Sequence, residues 1–378
     1  MSRSWVVIDH DAIAHNVAVL AALAGPGAAV CAVVKADGYG HGLVEVARTT
    51  LAAGASWLGV AHAAEGRALR AAGIDAPVLL LSEPVSPEEI GDVVAGGLRV
   101  TVYSEAVIDA LAATGAPVAV HLKLDTGLRR VGACPGDALS LARRVRRYPQ
   151  LTLEGVFTHL ALADRPSDPF TALQLARFDE AVGELEAAGF EVPIRHAANS
   201  AGVIAHPGSR FELVRPGISL YGVAPSAELA AATALRPTLS WHTRVSFVKR
   251  VGEGEGISYG HRHRTTAATT VATIPVGYAD GLPRSWGLVG GAVLIAGVRR
   301  RLIGAVTMDQ SLVDCGPDAD VHVGDDVVLI GRQGDATVTV DEMADGTGTI
   351  AYEIFTGIGN RVERRHRGTA SAETGQVS

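Results

Sequence analysis

Reactive side chains in this sequence recur where apolar runs stop. Cys31-Ala-Val-Val-Lys35-Ala-Asp37-Gly-Tyr39-Gly-His41-Gly42 begins as a strand and ends in a glycine-rich turn, with one lysine at the junction. A lysine at the end of a buried strand is a strongly hydrated charge in an apolar place, and it needs a partner or a task there. The same placement recurs at Lys123-Leu-Asp125, at His159, at His196-Ala-Ala-Asn199-Ser200 and at Arg215-Pro-Gly217. Asn199-Ser200-Ala-Gly202 reads as a helix start, with free N–H groups and a hydroxyl. Arg215-Pro-Gly217-Ile218 offers N–H groups that a glycine lets an anion approach closely.

Taken singly, each residue has a plainer reading. Lys35 reads as a solvated lysine, His159 and His196 as core histidines bonded to backbone, and Arg215 as an ion-pair arginine. Tyr39 reads as packing and Gly217 as a turn glycine. What sets them apart is that a parallel barrel gathers all these strand ends on one face, with phosphate sites after its seventh and eighth strands. A phosphate at one side and a lysine amine at the other suggest pyridoxal phosphate, captured by Lys35 as a Schiff base. No Cys/His spacing suggests a zinc site. No Walker or dinucleotide glycine motif follows a strand, and Asp37-Gly-Tyr39-Gly-His41 lacks the Lys-Ser/Thr of a P-loop.

The elements that would position these groups follow a regular rhythm. Apolar strands are expected at Trp5–Ile8, Ala29–Val34, Trp57–Val60, Val78–Leu81, Val100–Tyr103, Val118–Leu124, Leu151–Thr158, Ile194–Ala197 and Phe211–Val214. Helical patterns lie between them, including His41–Ala53 and the longer Ala172–Ala188. About eight strand–helix units of this length, with strands apolar throughout, imply a parallel sheet covered on both faces. The expected fold is α/β: a (β/α)8 TIM-like barrel over residues 1–233, with an open doubly wound sheet as the alternative. From Pro237 the rhythm changes to strand-like runs at Trp241–Val251, Thr269–Ile274, Ala292–Ile295, Val327–Ile330 and Thr337–Val340, with one short helix near Asp341–Ala344. Residues 234–378 therefore read as a second, mainly β domain, with a polar, disordered tail after His366.

Composition narrows the class. At 48% hydrophobic and 19% charged residues, the chain can bury a sizeable core. A net charge of -7 and the lack of a long basic run argue against a nucleic-acid partner. Cys31, Cys134 and Cys315 are scattered and odd in number, which fits a reducing compartment rather than a disulfide framework. No signal-peptide pattern and no apolar run of membrane length is visible, so a cytoplasmic, membrane-free protein is expected.

The motifs in order resemble those of the alanine racemase family. They are Val34-Lys35-Ala-Asp-Gly-Tyr39-Gly-His-Gly, His121-Leu-Lys123-Leu-Asp125-Thr-Gly127-Leu-Arg129-Arg130, Phe157-Thr-His159, His196-Ala-Ala-Asn199-Ser200 and Val214-Arg215-Pro-Gly217-Ile218-Ser-Leu-Tyr221-Gly, followed in the second domain by Ile257-Ser-Tyr259-Gly, Pro275-Val-Gly-Tyr278-Ala-Asp280-Gly, Met308-Asp309-Gln310 and Ile350-Ala-Tyr352-Glu353. Nine motifs in order over roughly residues 5 to 365 make a specific match. The resemblance implies a head-to-tail homodimer with shared active sites, acting on a small amino acid. It makes Lys35 the Schiff-base lysine and Tyr259 of the partner the opposing base. It gives phosphate contacts to Tyr39, Ser200, Gly217, Ile218 and Tyr352, and places His159 and Arg215 against the cofactor ring. His196 would support Arg215, with Asn199 and Asp309 as further backing. Arg130, Met308 and Tyr278 would face the substrate. Lys123 matches a position often N-carboxylated in the family, and the added carboxylate would steer Arg130.

Two departures stand out. Thr307 replaces a cysteine common before Met-Asp-Gln, with consequences for pocket and inhibitor response. Arg361-Val-Glu363-Arg364 replaces an Arg-Val-Pro-Arg pattern remote from the chemistry. The expected activity is interconversion of L- and D-alanine, supplying D-alanine for peptidoglycan. The alternatives are a racemase of broader small amino-acid range, a fold-related basic amino-acid decarboxylase, or a non-catalytic pyridoxal phosphate carrier. Arg215 where decarboxylases favour glutamate, and a complete second domain, weigh against the last two.

Overall fold

The computed structural model describes residues 3–368. The chain forms two compact units: one is Asp11–Arg236, and the other joins the first ten residues to the chain from Pro237 onward. The chain opens with β1 (Ser4–Asp9), which belongs to the second unit. There follow β2 (Ala29–Val33), β3 (Trp57–Val60), β4 (Val78–Leu80), β5 (Arg99–Val102), β6 (Val118–Lys123), β7 (Leu151–Phe157), β8 (Ile194–His196) and β9 (Leu213–Val214).

Strands β2 to β9 are parallel and pair in the order β8-β7-β6-β5-β4-β3-β2-β9, a nearly closed (β/α)8 barrel. Between the two end strands, Arg195 pairs with Glu212 at 2.7 Å and the Arg215 N–H donates to the Ala198 carbonyl at 2.9 Å. Val30, Leu58, Val60, Val78, Leu79, Val100, Val102, Val120 and Leu122 are buried along these strands. Each such valine or leucine contributes about 1.5–3 kcal/mol through apolar area removed from water. The helices between strands start on side-chain caps where the sequence supplies them. Ser86 and Ser104 accept from the N–H groups of Glu89 and Val107 at 3.2 and 3.3 Å.

The first strand departs from expectation. Trp5–Ile8 heads the expected barrel series, but β1 pairs antiparallel with Leu239–Arg244 and parallel with Glu363–Arg367. Its residues alternate between buried and half-buried, with Val6 and Ile8 inside. A strand covered fully on one face suits the second unit's sheet, whereas a barrel strand such as Val78–Leu80 is buried at every residue.

In that unit a mixed sheet runs from Phe247–Val251 through Thr269–Ile274, Ser311–Gly316, Val298–Leu302, Ala292–Ile295, Asp326–Gln333 and Leu239–Arg244 to β1 and Glu363–Arg367. The expected strand Trp241–Val251 is two strands. They part at Val245 and Ser246, whose N–H groups turn to the carbonyls of Asp325 and Thr273. Thr339 caps the helix Val340–Thr347 by accepting from the Glu342 N–H at 3.0 Å, so the preceding strand ends at Val338. A further helix, Ala351–Gly357, carries Tyr352. The strand Glu363–Arg367 reaches past His366. The rest of the tail expected to be disordered, 369–378, lies outside the described residues.

Candidate active site at the carboxyl end of the barrel

Lys35 follows β2 after Val34, and the chain beyond it turns left-handed. Ala36, Asp37, Gly38 and Tyr39 have φ of 54°, 54°, 59° and 53°. For residues other than glycine this conformation costs about 1–2 kcal/mol each. Specific bonds offset the cost. Glu65 accepts from the Ala36 N–H at 2.6 Å, and the Asp37 carboxylate accepts from the Leu43 N–H at 2.9 Å. Tyr39 is buried and stacks on Tyr221 with ring centroids 4.7 Å apart. The left-handed turn delays the next helix, expected from His41, until Leu43.

The turn brings Tyr39 against the segment that follows β9, the strand next to β2. A β-carbon on Gly217 would lie 2.5 Å from the Tyr39 hydroxyl. Asn199 caps the short helix Ser200–Ala205 by accepting from the Gly202 N–H at 3.0 Å. The Ser200 hydroxyl accepts from the N–H groups of Gly217 and Ser219 at 2.9 and 3.3 Å. Gly217 opens a single 3-10 turn, Ile218–Tyr221. The two segments singled out as anion-approachable thus meet around one hydroxyl.

The charges here are mostly positive. Burial lowers the Lys35 pKa, and Arg130 lowers it further, against Glu65. Lys123 is 4% exposed. Burial, then Arg215, Arg130 and Lys35, bring its pKa down to about 8, with Asp125 opposing. The Asp125 carboxylate is occupied locally, accepting from the N–H groups of Gly127 and Arg129 at 2.9 and 3.0 Å. No ion pair joins it to Lys123 among the described residues. Arg130 is exposed. An anion is what such a cluster lacks.

Arg215 is buried, and its Nη2 donates to the carbonyls of Thr158 at 2.7 Å and Ala197 at 3.2 Å. Its Nη1 lies 2.7 Å from His196 Nδ1. His159 Nδ1 lies 3.5 Å from Nη2. Burial, and next the Arg215 charge, hold both histidines well below the usual imidazole range. His196 is stacked on Phe157 at 4.4 Å, so its ring is fixed in plane as well as in bonding.

Tyr259, Tyr278, Met308, Asp309 and Tyr352 belong to the other unit. Tyr259, Tyr278 and Met308 are exposed at 77%, 44% and 53%, a large apolar display for side chains of their size. Close backbone packing joins two of their loops. A β-carbon on Gly277 would meet the Met308 carbonyl at 2.2 Å, and the Tyr278 N–H donates to the Thr307 carbonyl at 3.0 Å. Arg361 clamps both loops, 3.3 Å from Asp280 and 2.7 Å from Asp309. Asp309 therefore fixes a loop of its own unit. Thr307 spends its hydroxyl on Gln310, donating to the carbonyl at 2.8 Å. Arg364, in the second departure, donates to the carbonyls of Ile358 and Gly359 at the end of the last helix.

Sequence reasoning missed several contributors. Glu65 holds the left-handed turn, Tyr221 donates to the Val33 carbonyl at 3.1 Å beneath Tyr39, and His121 and Glu154 lie behind His196. Glu154 was detectable as the lone charge inside the expected strand Leu151–Thr158.

Known proteins match this chain over nearly its whole length. The family description "Alanine racemase, N-terminal domain" matches residues 8–225, and "Alanine racemase, C-terminal domain" matches residues 238–366. The alanine racemase of Symbiobacterium thermophilum is 45% identical over 373 residues, covering 97% of this chain and 98% of that protein. That of Thermobifida fusca is 44% identical over 368 residues, covering 96% and 97%. The solved alanine racemase of Streptomyces coelicolor A3(2) superposes with a TM-score of 0.91 at 41% identity, covering 97% of this chain and 98% of that one. Matched in both domains and by relatives of its full length, the chain belongs to the alanine racemase family and is an amino-acid racemase.

Proposed function

We propose that this enzyme interconverts L- and D-alanine with pyridoxal 5'-phosphate held at the carboxyl end of the barrel, and that it supplies D-alanine for peptidoglycan. The observation that carries the reading is that Lys35 opens the turn whose Tyr39 hydroxyl reaches Gly217, which is itself bonded to the Ser200 hydroxyl. The cradle fits a phosphate, because the Tyr39 phenol reaches Gly217, whose N–H converges with that of Ser219 on the Ser200 hydroxyl at the opening of a 3-10 turn. The surplus of positive charge from Lys35, Lys123, Arg130 and Arg215 fits an anionic cofactor and a substrate carboxylate.

On this reading Tyr39, Ser200, Gly217, Ile218 and Tyr352 hold the phosphate, His159 lies against the ring, and Arg215 meets the ring nitrogen. When bound, pyridoxal phosphate supplies an aldehyde for amine capture and a ring that withdraws electrons from the substrate α-carbon. Lys35 would hold the cofactor covalently and, as a free amine, would act as the base on one face. Its lowered pKa suits that task, because a larger share of the amine is free to take a proton. Tyr259 of the partner subunit handles the proton on the other face. Its 77% exposure on a single chain agrees with a side chain meant for a second copy. Arg130 binds the substrate carboxylate, with Tyr278 and Met308 of the partner subunit closing the small pocket. Arg215 has only donors to offer, so it would leave a ring nitrogen set against it unprotonated, and the weaker electron withdrawal would favour return of the proton to the α-carbon over side reactions.

No helix among the described residues is long and apolar enough to cross a membrane. The dimer and the shared sites are part of the proposal. Incubation with L-alanine should yield D-alanine to an equal mixture only with pyridoxal phosphate present, and Lys35→Ala should cost at least about a thousandfold. Racemisation by the cofactor-free protein, or by Lys35→Ala at near wild-type rate, would refute the reading.

A further inference from the structure

The hydrogen bonds behind Arg215 continue past His196. His196 Nε2 lies 2.8 Å from His121 Nδ1, and His121 Nε2 lies 3.0 Å from Glu154 Oε2. A guanidinium has no acceptor, so His196 must offer Nδ1 as a lone pair to Arg215. The proton of a neutral His196 is then on Nε2, which donates to His121 Nδ1. His121 in turn carries its proton on Nε2 and donates to the carboxylate. The chain has one consistent direction, and Glu154 is its terminal acceptor. Burial keeps both imidazoles below their usual pKa, in line with neutral rings.

The backbone is shaped for this contact. Along β6 and β7, Val120 faces Leu153 and His121 faces Gly155, which leaves Glu154 as an extra residue in β7. Such a bulge re-aims a side chain. The following residue has no room for a β-carbon, which at Gly155 would sit 2.5 Å from His121 Nδ1, the atom that accepts from His196. Arg99 braces the far end, with Nε 3.5 Å from Glu154 and its guanidinium 5.5 Å over Trp57, whose ring meets His121 edge-on at 5.7 Å. Among the described residues no carboxylate lies within ion-pair distance of Arg215, so its link to negative charge runs through the two rings.

We propose that Glu154 is a positioning residue that fixes, through His121, the tautomer of His196 and thereby the orientation of Arg215. Its consequence for catalysis rests on Arg215 being the partner of the cofactor ring. Nitrogen-15 NMR of histidine-labelled holoenzyme, assigned by comparison with His121→Gln, tests both parts. His121 and His196 should be neutral and protonated at Nε2 in the unaltered enzyme; a proton on His196 Nδ1 overturns the proposal without any variant. Glu154→Leu removes the acceptor and should move both sets of ring signals, lowering kcat about tenfold to a hundredfold with KM within about twofold. Glu154→Gln keeps a carbonyl acceptor and should restore the signals and most of kcat. Ring signals unmoved in Glu154→Leu overturn the proposal. Signals that move while kcat and the ratio of racemisation to transamination hold steady uphold Glu154 and sink the placement of Arg215 at the ring.

Discussion

The hydroxyl of Tyr39 occupies the space a side chain at position 217 would need: a β-carbon there would come within 2.5 Å of it. The contact joins the left-handed turn after Lys35 to the segment after the last barrel strand. Overpacking of this kind costs about 1–3 kcal/mol. Gly217→Ala should therefore weaken pyridoxal phosphate binding about tenfold or more, read by absorbance titration of the apoenzyme. Tyr39→Phe removes the clashing oxygen, so the double variant should lose less than the two single losses combined. Strict additivity would separate the two residues functionally.

Tyr259 carries the argument for a second chain. If it handles one face of the α-carbon and Lys35 the other, Tyr259→Phe should slow α-hydrogen exchange from one enantiomer at least about a hundredfold more than from the other. Exchange into deuterated water, followed separately for L- and D-alanine, reads the difference. Equal slowing of both would remove Tyr259 from the role of base. Specific activity should also fall on dilution as the dimer parts.

Much of this site was legible because its chemistry sits at strand ends, where apolar runs stop and a charge stands out. Lys35, His159, His196 and Arg215 were found that way, and Asn199 announced its helix as a cap. What escaped depends on backbone detail that side-chain pattern does not encode. The bulge at Glu154 is a one-residue register shift, invisible without the partner strand. The left-handed course of Ala36 to Tyr39 runs against the preference of three of its four residues and is set by distant partners such as Glu65. The place of β1 was not readable, since Trp5-Val6-Val7-Ile8 is an unbroken apolar run like those of the barrel, and its alternation appears only in burial, which its partner strands decide.

Lys123 makes a pH-dependent prediction. An amine takes up carbon dioxide only as the free base, releasing a proton as the carbamate forms. With its pKa lowered from 10.5 to about 8, the lysine is a base poised near neutrality. At pH 7.5 about a quarter of it would be free amine, against about one part in a thousand at the ordinary value. Because a depressed lysine pKa means more free base as pH rises, carboxylation should increase from pH 6 to 8.5 and with added bicarbonate. Intact mass under native conditions, or carbon-13 NMR with labelled bicarbonate, reads the added carboxyl group. A lysine that stays unmodified throughout that range with bicarbonate in excess would leave Arg130 without its proposed anion.

Arg215 makes the sharpest chemical prediction, because it bears on which reaction the site performs as well as on how fast. The guanidinium is buried, bonded to two carbonyls and to His196, and has no lone pair to give. Burial lowers its pKa to about 10, still far above neutrality, so it remains a cation in the working range. Placed at the ring nitrogen, such a group opposes protonation there and limits electron withdrawal. Arg215→Glu reverses this, since a carboxylate stabilises a proton on the ring nitrogen and strengthens the sink. The variant should racemise at least about a hundredfold more slowly, while its share of turnovers ending in pyruvate and the amino form of the cofactor rises. Pyruvate coupled to lactate dehydrogenase, measured beside D-alanine formation, gives the partition directly. Arg215→Lys separates charge from geometry: it stays a cation but loses the planar fork that reaches Thr158, Ala197 and His196 together. If charge at the ring decides the outcome, the lysine variant should be slow yet keep the native partition, and only the glutamate variant should leak into transamination.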